Sequence, residues 1–179
     1  HAIEREARVM SALAGTPVPV PRIYAICEDA SVIGTPFYVM EMMAGRNFVD
    51  PALPGVAPEV RRAIFDSQNA TIASLHSISP ASLGLDDYGR SGNYCARQIA
   101  RWSKQYLGDP LAPRNADLDW LIDWLPKHIP ASDEVAIVHG DFRLDNMIFD
   151  PVEPKVVAVL DWELSTLGHP LADFAYHLM

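Results

Sequence analysis

Val138-His139-Gly140-Asp141-Phe142-Arg143-Leu144-Asp145-Asn146 is the stretch on which the reading of this chain turns. The apolar run Val135-Ala136-Ile137-Val138 predicts a short buried strand that delivers a carboxylate, Asp141, and five residues later an amide, Asn146. Met147-Ile148-Phe149 resumes the apolar pattern, and Val156-Val157-Ala158-Val159-Leu160 reads as a further strand beyond a Pro-bearing turn at residues 150–154. That strand ends in Asp161, fifteen residues after Asn146. If the two strands pair as a hairpin, Asp141, Asn146 and Asp161 converge at one rim of a small sheet. His-Gly-Asp alone is a weak signal. The ordered set of Asp, Asn and Asp, each bounded by strands, is a strong one.

Magnesium takes hard oxygen ligands and keeps several waters, so one carboxylate, one amide oxygen and substrate phosphates form a sensible cage. The remaining carboxylate can orient a hydroxyl and accept its proton. Phosphoryl transfer needs little more from a protein than such positioning and charge neutralisation.

Upstream, residues 1–14 place Ile3, Val9, Met10 and Leu13 on one face of an amphipathic helix that Gly15 stops. Pro17, Pro19 and Pro21 force an extended connector. Ile23–Cys27 and Phe37–Met43 read as a hairpin-like strand pair, and residues 46–57 as a loop. Helices are predicted from Pro58 to about Ile78, from Asn93 to Leu107, from Ala116 to His128 and from Pro170 onward.

The chain has 179 residues, 49% hydrophobic and 21% charged, an ordinary globular balance. A net charge of −9 argues against a nucleic-acid surface, although local groups and metal ions can still hold an anionic nucleotide. Cys27 and Cys95 form no CxxC pair, which excludes a zinc ribbon or disulfide scaffold and fits a reducing cytoplasm. No apolar run is long enough to span a membrane. The start at His1 and the end at Met179 both fall inside helical patterns and read as cuts.

The wording of His139-Gly140-Asp141-Phe142-Arg143-Leu144-Asp145-Asn146, Leu160-Asp161-Trp162-Glu163 and Gly168-His169-Pro170-Leu171-Ala172-Asp173 resembles the aminoglycoside phosphotransferase family. It is most similar to the kinase-like domain fused to acyl-CoA dehydrogenases and its stand-alone bacterial relatives. The resemblance covers the whole chain. It implies an α+β, protein-kinase-like two-lobe fold: residues 1–45 as a remnant of the N-terminal lobe, and 46–179 as a mostly helical C-terminal lobe with a catalytic β-hairpin. It implies an ATP- and Mg2+-dependent transfer to a small-molecule hydroxyl. Carried over residue by residue, it makes Asp141 the catalytic base, and Asn146 and Asp161 the magnesium ligands. Glu6 becomes the helix partner of a nucleotide-gripping lysine. Glu41 and Met43 offer main-chain groups to the adenine, and Asp173 steadies the loop. No Ala-Pro-Glu follows, which disfavours a protein acceptor. A glycine-rich phosphate loop and a lysine ahead of Glu6 are missing and would lie upstream of His1, so the chain as given is expected to bind nucleotide poorly.

Plainer readings stand beside these. His139 reads as a packed histidine whose hydrogen bonds hold the loop rather than as a second base. Arg143 either touches phosphate or pairs with Asp145 or Asp173. His76 reads as a satisfied core residue, and Trp102, Trp120, Trp124 and Tyr106 as core or as walls of a substrate cleft. The competing functions are a pseudokinase that binds nucleotide without turnover and a metal-dependent phosphoester hydrolase, which would need more ligands than appear here.

Overall fold

The computed structural model describes residues 3–111 and 113–178. Helix α1 (Ile3–Leu13) turns Ala7, Val9, Met10 and Leu13 into the protein, and its chain reverses at Gly15 with φ +81°. Strands β1 (Ile23–Cys27) and β2 (Phe37–Met40) pair antiparallel, with Ile23 opposite Met40 and Cys27 opposite Phe37. The second strand is shorter than the apolar run predicts. After Met40 the Glu41 N–H still reaches back to the Arg22 carbonyl at 2.8 Å, but the ladder ends there and the Met42 side chain is 90% exposed. With no partner strand beside it the run turns into a connector.

That connector is pinned rather than loose. Arg46 exchanges two backbone hydrogen bonds with Phe149, each 2.8 Å, and its guanidinium caps the carbonyls of Asp150 and Glu153. Asn47 donates to the carbonyls of Asp145 and Met147. Residues 46–57 therefore do not begin as the expected loop: Arg46 adds a bridge to the hairpin formed by β4 (Met147–Phe149) and β5 (Val156–Val159). Gly45 makes this possible, because a Cβ there would lie 2.2 Å from the Phe149 carbonyl oxygen.

The rest is helical apart from one further strand pair. Helices α2 (Pro58–Ser77), α3 (Tyr94–Gly108) and α4 (Ala116–Trp124) match the predicted spans closely, the last opened by Asn115, whose side chain accepts from the N–H groups of Asp117 and Leu118. Strand β3 (Ala136–Val138) pairs with β6 (Thr166–Gly168), which sequence reading missed, and α5 (Pro170–His177) follows. One hydrophobic cluster joins Val9, Met10 and Leu13 of α1 to Ile64 and Leu75 of α2, Phe142, Met147 and Trp162, so it crosses the expected boundary at residue 45. Trp102 and Trp120 are 56% and 58% exposed, which removes the core reading for both. No helix among the described residues is long and apolar enough to cross a membrane, and both cysteines are free.

The close approach at Gly45 gives a test of the connector. Gly45→Ala should destabilise the protein by about 1–3 kcal/mol, the usual cost of forcing an extra methyl into packed backbone. A shift in urea midpoint with unchanged slope is the measurement, and an unaltered midpoint would show that the connector yields freely.

Candidate active site

Strand β3 ends by feeding its backbone onto a buried carboxylate. Asp173 of α5, 2% exposed, accepts the His139 N–H at 2.6 Å and the Gly140 N–H at 2.8 Å, and lies 3.2 Å from His76 Nε2 of α2. His76 is therefore more than a core filler. Gly140 adopts φ +87°, and a Cβ there would come within 2.8 Å of the Leu164 carbonyl oxygen, so glycine is required twice over. His139 is fully buried between Trp162 and Phe142, with ring centroids 4.6 and 5.8 Å away. Its Nδ1 accepts the Asp141 N–H at 3.2 Å, so the proton sits on Nε2, which donates to the Leu160 carbonyl at 2.9 Å. A neutral ring satisfies both contacts. Burial accordingly pushes its pKa below the ordinary value.

The turn Leu144–Asn146 brings the next groups to the same rim. Asn146 donates its amide Nδ2 to the Asp141 carbonyl and to Asp141 Oδ2, both at 2.9 Å, which leaves Oδ1 as the end that offers lone pairs. Its own carbonyl accepts the Leu160 N–H at 2.9 Å, so the residue before Asp161 is fastened directly to Asn146. Asp161 itself holds φ +64° and ψ +57°, a left-handed conformation that few side chains tolerate and that aspartate, like asparagine, adopts more readily than most. The hairpin thus brings the backbones of Asn146 and Leu160 together, with Asp141 bonded to the Asn146 side chain and Asp161 next along the chain.

Arg143 Nε lies 3.0 Å from Asp141 Oδ1, and Nη2 lies 3.1 Å from Asp145 Oδ2. The alternative pairing with Asp173 is not formed. Tyr176 of α5, absent from the sequence reading, stands close enough to Asp141 for that carboxylate to raise its phenol pKa. Asp141 is thus held by Asn146 and Arg143 and flanked by Tyr176.

Across the cleft, Glu6 of α1 accepts from the Tyr38 hydroxyl at 3.2 Å, a partner the sequence reading did not foresee. Burial raises the Glu6 pKa, Tyr38 lowers it, and the carboxylates of Asp161 and Glu163 raise it further. Tyr38 is pushed up to about 12 by burial and by Glu6. Glu41 and Met43 lie just past β2, outside its ladder, and the Glu41 carboxylate accepts from the Arg22 N–H at 3.3 Å. Beside Gly140 and Leu164 opens a groove of about 560 Å3 whose far wall is Tyr94, Ile99, Trp102 and Leu125, with Arg101 and His128 also lining it.

The residue types suit a hard divalent cation: Asn146 offers an amide oxygen and Asp161 a carboxylate, and such ions keep water and phosphate oxygens as further ligands. Among the described residues no group of three or more His, Cys, Asp or Glu is placed to hold a metal, so a closed protein cage of the two-metal hydrolase kind is not built from them.

Comparison with known proteins agrees with this architecture. Residues 1–179 match the family model described as phosphotransferase enzyme family. Acyl-CoA dehydrogenase family member 10 of Mus musculus is 50% identical over 98% of this chain and 16% of its own length. Family member 11 of Homo sapiens is 48% identical over 98% of this chain and 23% of its own. The chain thus spans less than a quarter of these relatives. A crystal structure from Ralstonia eutropha, provisionally named an aminoglycoside phosphotransferase, is 57% identical with a TM-score of 0.94 over 99% of this chain and 54% of that one. Aminoglycoside-3'-phosphotransferase of type VIII, at 23% identity, TM-score 0.68 and 98% and 63% coverage, shares the fold.

The buried histidine carries a pH signature. With its folded pKa below the ordinary 6.5, unfolded chains bind a proton that the folded protein refuses. The stability it contributes is complete above that ordinary value and is lost as pH falls below it. The His139 ring resonances should stay those of a neutral Nε2–H imidazole while urea midpoints fall from about pH 7 to about pH 5.5. A ring that titrates at its ordinary value in the folded protein would contradict this.

Proposed function

The chain belongs to the phosphotransferase enzyme family, and from that premise we propose that it carries the catalytic and metal-binding part of an enzyme that transfers the terminal phosphoryl group of ATP to a hydroxyl of a small molecule, with Mg2+. The observation that carries the proposal is the Asn146 side chain, tied to Asp141 by its amide nitrogen and to Leu160, next to Asp161, by its backbone. One residue thereby sets the distance between the group that takes a proton and the groups that hold a cation.

In this reading Asp141 accepts the proton of the acceptor hydroxyl as that oxygen bonds to the γ-phosphorus. The bond from the γ-phosphorus to the bridging oxygen breaks, and ADP leaves. Arg143 holds the Asp141 carboxylate in place, and Tyr176 flanks it. Asn146 and Asp161 supply the protein oxygens for Mg2+, which when bound neutralises charge on the phosphates. Glu6 receives the ammonium group of a nucleotide-gripping lysine, and the backbone at Glu41 and Met43 meets the adenine. Asp173 and His139 keep the loop rigid beneath them.

Solved members of the fold are described as complexes with GDP and with ADP and hygromycin B, which supports a nucleotide and a small hydroxylated acceptor without deciding between ATP and GTP. The acceptor is best placed in the groove beside Gly140. Its walls are aromatic and aliphatic and include Arg101, so it favours a hydroxylated molecule with an apolar body over a polycation. A pseudokinase would share the fold without the full triad of Asp141, Asn146 and Asp161.

In the intact protein, Asp141→Asn should lower turnover by about 10²–10⁴-fold while leaving Mg-ATP affinity nearly unchanged. Asp161→Ala should instead remove the magnesium-dependent part of nucleotide binding, measured by calorimetry with and without the metal. ADP formation that requires an added alcohol supports transfer, and equal ADP formation without one would indicate hydrolysis. Near-normal turnover in Asp141→Asn would remove the assigned base.

A further inference from the structure

We propose that Arg5, Tyr88 and Ser165 are positioning residues that bolt helix α1 to the segment following Asp161 and so hold Glu6 in the cleft; this rests on the phosphotransfer reading above. None of the three has a part in the chemistry just described. They come from three separate stretches of chain, and they meet in one small hydrogen-bonded knot.

Arg5 immediately precedes Glu6. Its Nη2 donates to the Tyr88 carbonyl at 2.8 Å and to the Ser165 carbonyl at 3.3 Å, while the guanidinium lies over the Tyr88 ring, 4.4 Å from the centroid. Tyr88 is 1% exposed, and its hydroxyl sits 2.6 Å from Ser165 Oγ and 3.2 Å from the Arg5 carbonyl. Ser165 Oγ donates in turn to the Trp162 carbonyl, in the turn Trp162–Leu164 that starts just after Asp161. Each hydroxyl has one proton: Ser165 gives its own to the Trp162 carbonyl, and Tyr88 shares its proton between Ser165 Oγ and, in a longer three-centre contact, the Arg5 carbonyl. Gly89 lets this strap lie flat: a Cβ there would stand 2.3 Å from Thr166 Oγ1 and 2.6 Å from the Leu167 nitrogen. One helical turn further along α1, Arg8 fastens the same strap from outside through the Gly84 carbonyl, at 2.8 Å, and the Asp87 carboxylate.

Two features distinguish this from ordinary packing. A tyrosine serving only as core filler has no use for its hydroxyl, which must be desolvated and then bonded to be tolerated. Here that hydroxyl links the α1 backbone to the turn after Asp161. In addition, among the described residues Glu6 has one long hydrogen bond of its own, to Tyr38, and the carboxylates of Asp161 and Glu163 act on it. Like charges in a half-buried cleft repel, so the side chain's own contacts would let α1 drift outward. The knot behind the helix opposes that drift. It holds Glu6 where a cationic partner will find it, before the partner arrives.

The test uses Tyr88→Phe in the intact protein, which keeps the ring under Arg5 and removes only the hydroxyl. Mg-ATP affinity by calorimetry should fall roughly tenfold, and the same change in a Glu6→Gln background should cost less than about twofold, because the two residues act as a unit. Amide exchange without nucleotide should speed up in α1 and in residues 162–167 together. Ser165→Ala, which cuts the relay at its other end, should reproduce the pattern. Faster exchange with unchanged affinity, or an equal loss in the Glu6→Gln background, would mean that the knot serves stability alone and would overturn the proposal. If Glu6→Gln itself leaves Mg-ATP affinity unchanged, the role given to Glu6 fails, and the positioning proposal with it, even where the exchange data show the knot intact.

Discussion

A single buried carboxylate, that of Asp173, satisfies the N–H groups of His139 and Gly140, and the site depends on it. A carboxylate taken out of water is costly unless its oxygens are bonded, and two backbone N–H groups stranded in the interior would be costly too. Each solves the other's problem, and His76 shares the Oδ2 lone pairs from the opposite side. The consequence is geometric. Helix α5, helix α2 and the end of β3 are locked to one another, so Gly140 can take its left-handed turn against Leu164 and Asp141 emerges at a fixed point.

The hairpin β4–β5 then transmits that position. Its Val159 N–H donates to the Pro19 carbonyl on one edge and Phe149 takes the Arg46 bridge on the other, so the segments before and after the small sheet are both registered to it. A one-residue slip in β5 would send Asp161 to the far face, because side chains alternate along a strand. The Leu160 to Asn146 hydrogen bond continues the ladder one step past the strand and rules that slip out. Only then does Asp161 leave the extended region, turning its carboxylate at the rim with a backbone conformation that must be held by its neighbours.

What was legible from the chain follows from range of interaction. Helix periodicity and strand runs are local, so α1 to α5 and the two hairpins could be read directly, and the Asp141, Asn146, Asp161 set lay within one such hairpin. Strand β6 was missed because Thr166-Leu167-Gly168 is short, carries a glycine and runs into His169-Pro170, which reads as a turn; it is a strand only because β3 pairs with it. The bridge at Arg46 was hidden for the same reason. The partners of Tyr38, Tyr88 and Tyr176 gave no signal, since they lie far along the chain and nothing in a tyrosine's neighbours announces where its hydroxyl will go; His76 was legible as a satisfied residue, though not its partner Asp173. The Met-rich run past β2 misled in the other direction: its apolar pattern continues, but no strand stands beside it to extend the ladder.

The charge of the chain, −9 overall, is better understood from the cleft than from the total. Glu6 feels Asp161 and Glu163 strongly enough that both raise its pKa, and Asp141 stands near enough to Asp145 that one arginine spans them. Such a concentration of carboxylates disfavours the folded state by itself and would repel a polyphosphate. It becomes favourable, on the proposed reading, when cations enter: a divalent ion held by Asp161 and Asn146, and an ammonium group at Glu6. On the proposed reading the acidic cleft and the anionic nucleotide are compatible because neither binds the other directly; each binds the cations between them. The two arginines that the chain does place here are committed elsewhere, Arg143 to the orientation of Asp141 and Arg5 to backbone carbonyls behind α1. Cation dependence is then, on the proposed reading, a property of the cleft's electrostatics as much as of the phosphoryl chemistry.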